Sequence, residues 1–145
     1  MKSKLIANGN EKTFAVIFYT GDEVMSMLTE FAMEKNLQAS RFTAIGAFSS
    51  VTLAWYNLRT KEYENFEVQE QVEALSFIGD ITLDNGKPKV HAHAVIGKRD
   101  GNTRGGHVVK AIVSPTLEVM LTESPSPLLR AYDNDIGLPL IDPDK

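Results

Sequence analysis

One segment of the chain changes its hydrophobic period. In "GDEVMSMLTEFAMEKNL", which opens at Gly21, the apolar residues Val24, Met27/Leu28 and Phe31 recur at helical spacing. Asp22 and Glu23 stand where the positive end of a helix dipole favours acids, and the pattern runs out near Lys35 and Asn36. After this helix the pattern is mostly β. Several strands joined by short hairpins, with one early helix, predict an α+β domain: a largely antiparallel β-sheet flanked by one main helix.

The strand candidates are "TFAVIFY" from Thr13, "SRFTAIGAFSSVTLAWYNL", "YENFEVQ", "ALSFIGDITL", "KVHAHAVIG" and "TLEVMLTE". The first is a short β-branched and aromatic run, the mark of a strand covered on both faces. Turn chemistry separates several of them: "RTKE" after Leu58, Asp84-Asn85-Gly86 and Asp100-Gly101. The uneven alternation of "YENFEVQE" allows a bulge, and Gly79 inside "SFIGDITL" implies a bulge or a close backbone approach. From Pro125 the chain holds four prolines and cannot form a central strand or a long helix. It is expected to wrap the surface, anchored by Leu128, Leu129, Tyr132, Ile136 and Leu138. The expected organisation is a lead-in over residues 1–12, one domain over 13–123 and a proline-rich tail over 124–145 that packs on the domain. At 145 residues, one domain with a real core is the default.

Charge argues against a surface built to neutralise phosphates, because the net value is −4. Its distribution is uneven. Residues 62–84 carry seven acids and no base, whereas residues 87–110 carry six bases and one acid, Asp100. Such a split can bring one protomer's basic edge to another's acidic edge, place an anion near the histidines, or reflect two solvated strand faces. Cysteine is absent, so disulfides are excluded and a metal site must use His, carboxylate, carbonyl or water. The first ten residues lack the apolar run of a signal peptide, and no stretch approaches the about 18 apolar residues of a spanning helix. A cytoplasmic protein without membrane association is the expectation.

All three histidines fall in one window, "HAHAVIGKRDGNTRGGH", from His91 to His107. In a strand, His91 and His93 project from the same face with Cα atoms about 6.5–7 Å apart, close enough to converge on one ion. Zinc or another divalent transition metal needs ring nitrogens at about 2.0–2.1 Å and usually three or four ligands. His107 is the natural third donor, since the glycine-containing connector with its Asp-Gly turn can bring it back beside the strand. The competing reading is a polar sheet face followed by a turn. Gly105-Gly106 is equally two-sided, a flexible turn or a site of close backbone approach.

The ordered series "GD" opening the helix, "FTAIGAFSSVTLAWYN", "SFIGDI", "HAHAVIG", "DG...GGHV" and "PTLEVMLTE" resembles the PPC domain, the plant-and-prokaryote conserved family also called DUF296. The likeness spans about residues 13–123, and the later "RAYD...GL" resembles the tail of stand-alone prokaryotic members. The resemblance implies an α/β fold with an antiparallel sheet flanked by helix, assembled as a homotrimer. It further implies a bound metal, commonly zinc, at the H-x-H and G-G-H histidines, which are His91, His93 and His107 here. The family's DNA-binding label attaches to members with an AT-hook, and this chain has no such segment; "KPKVH" and "KRDGNTRGG" are its nearest basic stretches.

Three functions follow. The first is a trimeric, zinc-binding regulatory or ligand-binding module, with an unknown small ligand at the metal. The second is a metal-dependent enzyme using a three-histidine site with an open water position, with Asp80 and Glu118 as candidate proton-transfer groups. No nucleophile elbow, P-loop or dinucleotide fingerprint specifies a reaction, so the non-enzymatic reading leads. The third is a DNA-associated protein. Trimerisation has a physical motive, because "VTLAWYNL" and "TLEVMLTE" offer more apolar surface than one small sheet and one helix cover. The alternative cover is the proline-rich tail.

Overall fold

A computed structural model describes residues 1–145. The elements run β1 (Lys2–Asn8), β2 (Lys12–Tyr19), α1 (Val24–Lys35), β3 (Ala39–Asn57), β4 (Glu62–Val68), β5 (Val72–Asp84), β6 (Lys87–Gly97), β7 (Thr103–Glu123), β8 (Leu129–Asp133) and β9 (Leu138–Asp142). The predicted helix appears with the expected end. Its inward stripe is Val24, Leu28, Phe31 and Ala32, and Asn36 closes it in the left-handed conformation at φ 52°.

Glu23 caps the helix and also ties it to the sheet. Its carboxylate accepts from the amides of Met25 (3.2 Å) and Ser26 (2.7 Å), and from Ala111 of β7 (3.1 Å). Burial would raise the Glu23 carboxyl, but these bonds outweigh it and hold it below the usual range. The helix lies on one face of the sheet, where Phe31 meets Phe14 edge to face at 5.5 Å. Each large apolar side chain buried there contributes roughly 1.5–3 kcal/mol, enough to seat a 12-residue helix that would be marginal alone.

The sheet is antiparallel except for one parallel bridge, Leu83 to Leu129. Two long strands organise it. β3, of 19 residues, pairs with β7, β5 and β4; β7, of 21 residues, pairs with β2, β3 and β6. Because β6 pairs with both β5 and β7, the ladder β3–β5–β6–β7 closes on itself. Such closure requires tight backbone approaches. A Cβ at Gly79 would sit 2.2 Å from the His91 carbonyl oxygen, so the expected close approach at this glycine is present.

Two regions differ from the sequence expectation. Residues 2–8 form a strand along β2, although every one of them is exposed and no apolar pattern marks them. The proline-rich tail forms the edge hairpin β8–β9, with Pro139 opposite Tyr132. Tyr132 anchors nothing, being 64% exposed. The face of the sheet turned away from α1 keeps apolar side chains in the open: Ile45, Leu75, Ile78 and Met120 line one shallow depression, and Ile45 is 64% exposed. The tail does not cover them.

The acidic and basic segments meet within one chain. They are the two arms of the β5–β6 hairpin and its flanks, joined by Lys89–Asp84 at 3.0 Å and Lys98–Glu70 at 2.7 Å. These two ion pairs neutralise part of the split that the sequence displays.

Candidate metal centre

The β6–β7 hairpin is centred on Asp100, and its register sets His93 directly opposite His107. The turn is the predicted Asp-Gly: Gly101 takes φ 82°, and the Asp100 carboxylate accepts from the Asn102 amide at 3.0 Å. Gly105 and Gly106, however, belong to β7 rather than to the turn. A Cβ at Gly106 would lie 2.7 Å from the Ala54 carbonyl oxygen, so this glycine permits β3, β7 and β6 to lie close together beside His107. His107 consequently pairs with Ala54 on one side and with His93 on the other.

Alternation along β6 buries Ala92 and Ala94 and sends His91 and His93 to the other face. All three imidazoles come together there. Ring centroids are 5.1 Å apart for His91–His93, 5.2 Å for His91–His107 and 5.4 Å for His93–His107. One ring nitrogen of each lies within 4.8 Å of the others. The Nε2 atoms of His91 and His93 are 3.2 Å apart. Two nitrogens of a tetrahedral zinc, each about 2.0–2.1 Å from the ion, lie about 3.3–3.4 Å apart, so this pair fits one ion with little movement.

Electrostatics keep two of the three rings, His93 and His107, ready to donate lone pairs. Burial, reinforced by His91, His93 and Lys89, pushes His107 down to about 4. Burial and the neighbouring His91 also lower His93, against the opposing pull of Asp80. His107 Nδ1 is buried without any hydrogen-bond partner, an orphan that a native fold rarely leaves unexplained. Neutral imidazoles and an unsatisfied ring nitrogen are what a metal requires of its ligands.

A second layer surrounds the rings. Tyr63 of β4 lies against His107 with centroids 4.8 Å apart, and Tyr56 packs on Tyr63 at 4.9 Å while donating its hydroxyl to the Ile136 carbonyl at 2.9 Å. Asp80 stands opposite His91 in the β5–β6 ladder, with Oδ2 3.4 Å from His91 Nδ1 and Oδ1 2.6 Å from Arg130 Nη2. Burial alone would raise the Asp80 carboxyl; the His91 bond and the Arg130 charge prevail and hold it below the usual range. Glu118, the other acid singled out in the sequence, is exposed opposite Ile45 and lines the apolar depression. Tyr63 and Arg130 carry no sequence signal of their own. The "RTKE" turn after Leu58 could have placed Tyr63 opposite Tyr56, but nothing in a proline-rich tail marks Arg130.

Fold and site together define a small antiparallel-sheet module with a three-imidazole cluster on its helix-free face. The chain belongs to the Plants and Prokaryotes Conserved (PCC) domain family, whose model matches residues 6–125. It is similar to a metal-containing protein from Archaeoglobus fulgidus, at 32% identity and a TM-score of 0.83, covering 97% of this chain and 99% of that one. A plant- and prokaryote-conserved protein of Pyrococcus horikoshii is 25% identical with a TM-score of 0.84, covering 97% and 94%. A candidate DNA-binding protein from Bacteroides thetaiotaomicron is 26% identical with a TM-score of 0.89, covering 99% of each chain. Among curated proteins, the bifunctional protein GlmU of Synechococcus sp. (strain JA-3-3Ab) is 26% identical over 121 residues; the match takes in 82% of this chain but 18% of that protein's length. No helix of this chain is long and apolar enough to cross a membrane.

Proposed function

We propose that the chain is a metal-binding module in which His91, His93 and His107 hold zinc, or another divalent transition metal, and present it to a small ligand in a regulatory or ligand-binding role. The carrying observation is the 3.2 Å approach of two Nε2 atoms beside a third imidazole that burial keeps neutral. A similar protein described as metal-containing supports this reading. The GlmU match bears on the word module alone, since the corresponding segment is a small part of a much larger protein. Held by His91, His93 and His107, zinc would supply Lewis acidity to a ligand at the site.

Binding is favoured over catalysis by the state of the acids. Both oxygens of Asp80 are engaged, by Arg130 and by His91, and Glu118 sits at the apolar depression instead of facing the rings. Assembly into a homotrimer gives the apolar face its cover. Ile78 is the cross-strand partner of His93, so a neighbouring copy seated on that face would border the metal site. DNA association is the second reading, supported by the description of a similar protein and opposed by a net charge of −4.

Elemental analysis tests the main reading. Protein purified without a histidine tag should carry about one transition metal per chain, and His93→Ala should lose it while keeping the fold, because core burial supplies most stability at this length. A metal-free wild type that also ignores added Zn²⁺ contradicts the proposal.

A further inference from the structure

The last strands of the chain reach into the site through one side chain. The side chain of Arg130 of β8 is only 7% exposed, and its guanidinium makes three directed bonds: Nη2 to Asp80 Oδ1 at 2.6 Å, Nε to Thr82 Oγ1 at 2.7 Å and Nη1 to the Pro139 carbonyl at 3.0 Å. Thr82 is fully buried, and its hydroxyl is also 3.4 Å from Asp80 Oδ1. Asp80 therefore has one oxygen fixed by Arg130 and the other aimed at His91 Nδ1. An imidazole whose Nδ1–H faces a carboxylate must offer Nε2 as its lone pair, and Nε2 is the atom that His91 turns toward His93.

We propose that Asp80 and Arg130 are positioning residues of the metal site: Arg130 locks the Asp80 carboxylate, which fixes the ring orientation and tautomer of His91. The C-terminal hairpin thereby becomes part of the site, although it lies beyond the residues 6–125 that match the family model. Its loop is held by the Tyr56 hydroxyl on the Ile136 carbonyl (2.9 Å) and by Lys61 Nζ on the Asn134 carbonyl (2.8 Å). β8 joins β5 by the single bridge Leu83–Leu129, next to two backbone bonds, Leu83 N–H to the Leu128 carbonyl (2.8 Å) and Leu128 N–H to the Gln38 carbonyl (3.2 Å). Arg130 bridges both hairpin strands and β5 at once, through Pro139 of β9 and through Asp80 and Thr82. A lysine cannot reproduce that fork, because an ammonium lacks the planar set of donors.

This inference rests on the metal reading, and its test separates the two. The full chain and its D80N and R130K variants are titrated with Co²⁺, followed by its visible absorption, and competed with Zn²⁺. The metal-free proteins are also examined by long-range ¹H–¹⁵N correlation of the histidine rings. D80N is expected to weaken Co²⁺ binding about 10- to 100-fold, with altered absorption bands, and R130K to weaken it less. In the metal-free wild type His91 should be a single tautomer protonated at Nδ1, and in D80N a mixture. Thermal unfolding near the wild-type temperature excludes a merely structural loss. If D80N does not fold, R130K carries the same two readouts with the carboxylate intact. Wild-type affinity together with an unchanged His91 tautomer in the folded variants overturns the proposal. Failure of the wild type to bind any metal overturns the metal reading, and the tautomer spectra still decide whether Asp80 positions the ring.

Discussion

Replacing His107 with Gln should remove much of the acid sensitivity of the metal-free protein between pH 6.5 and about 4. In the unfolded chain this imidazole protonates near 6.5; in the fold, burial beside His91, His93 and Lys89 delays protonation to about 4. The unfolded state therefore binds more protons within that window. Stability is fully present above 6.5 and is lost as pH falls toward 4. A ring held fully to those two values would cost about 3 kcal/mol below the window, and solvent around a half-buried group reduces this to about 1–2 kcal/mol. For a chain of this length that corresponds to about 2–8 °C in melting temperature. The assay is thermal unfolding of chelator-treated wild type and H107Q across the window, at one protein concentration so that assembly does not shift the midpoints. His93, also lowered, leaves a smaller residual slope. Carboxylates held below their usual range, such as Asp80, add to the loss from about pH 5 downward in both proteins, so the difference between wild type and H107Q isolates the ring. A wild type whose midpoint is flat across the window, or an H107Q slope equal to it, refutes the reasoning.

Two further outcomes concern surfaces. Placing Asp at Ile45 or Ile78, both exposed in the apolar depression, should convert a trimer into monomers in sedimentation experiments without lowering the helical signal; a wild type that sediments as a monomer at micromolar concentration removes the trimer proposal. Duplex DNA binding, if it belongs to this chain, must weaken steeply with added salt, and no measurable binding at low salt eliminates the DNA reading.

The residues explain which parts of this architecture were legible beforehand. Val24, Leu28 and Phe31 face the core at helical spacing, and the αL residue Asn36 marks the end, so the helix followed from local pattern alone. The proximity of His93 and His107 was legible because the Asp100-Gly101 turn fixes hairpin register and strand alternation fixes the face. β1 was not, since its seven exposed residues become a strand only by pairing with the free side of β2. The sequence suggests a loose glycine connector before His107, whereas Gly105 and Gly106 are strand residues pressed against Ala94 and Ala54. "TLEVMLTE" reads as a separate strand, yet β7 runs unbroken from Thr103 to Glu123 because β6, β3 and β2 pair with successive parts of it. Arg130 was invisible for a related reason. Its importance lies in partners about fifty residues away in sequence, Asp80 and Thr82, which no local pattern announces.

A metal-edge anomalous map from crystals of untreated protein tests the central claim most directly. The account predicts one strong peak within bonding distance of ring nitrogens from His91, His93 and His107, with the Asp80 carboxylate facing the remaining nitrogen of His91. Three well-ordered imidazoles with no anomalous peak between them, in crystals grown with added Zn²⁺, would contradict it.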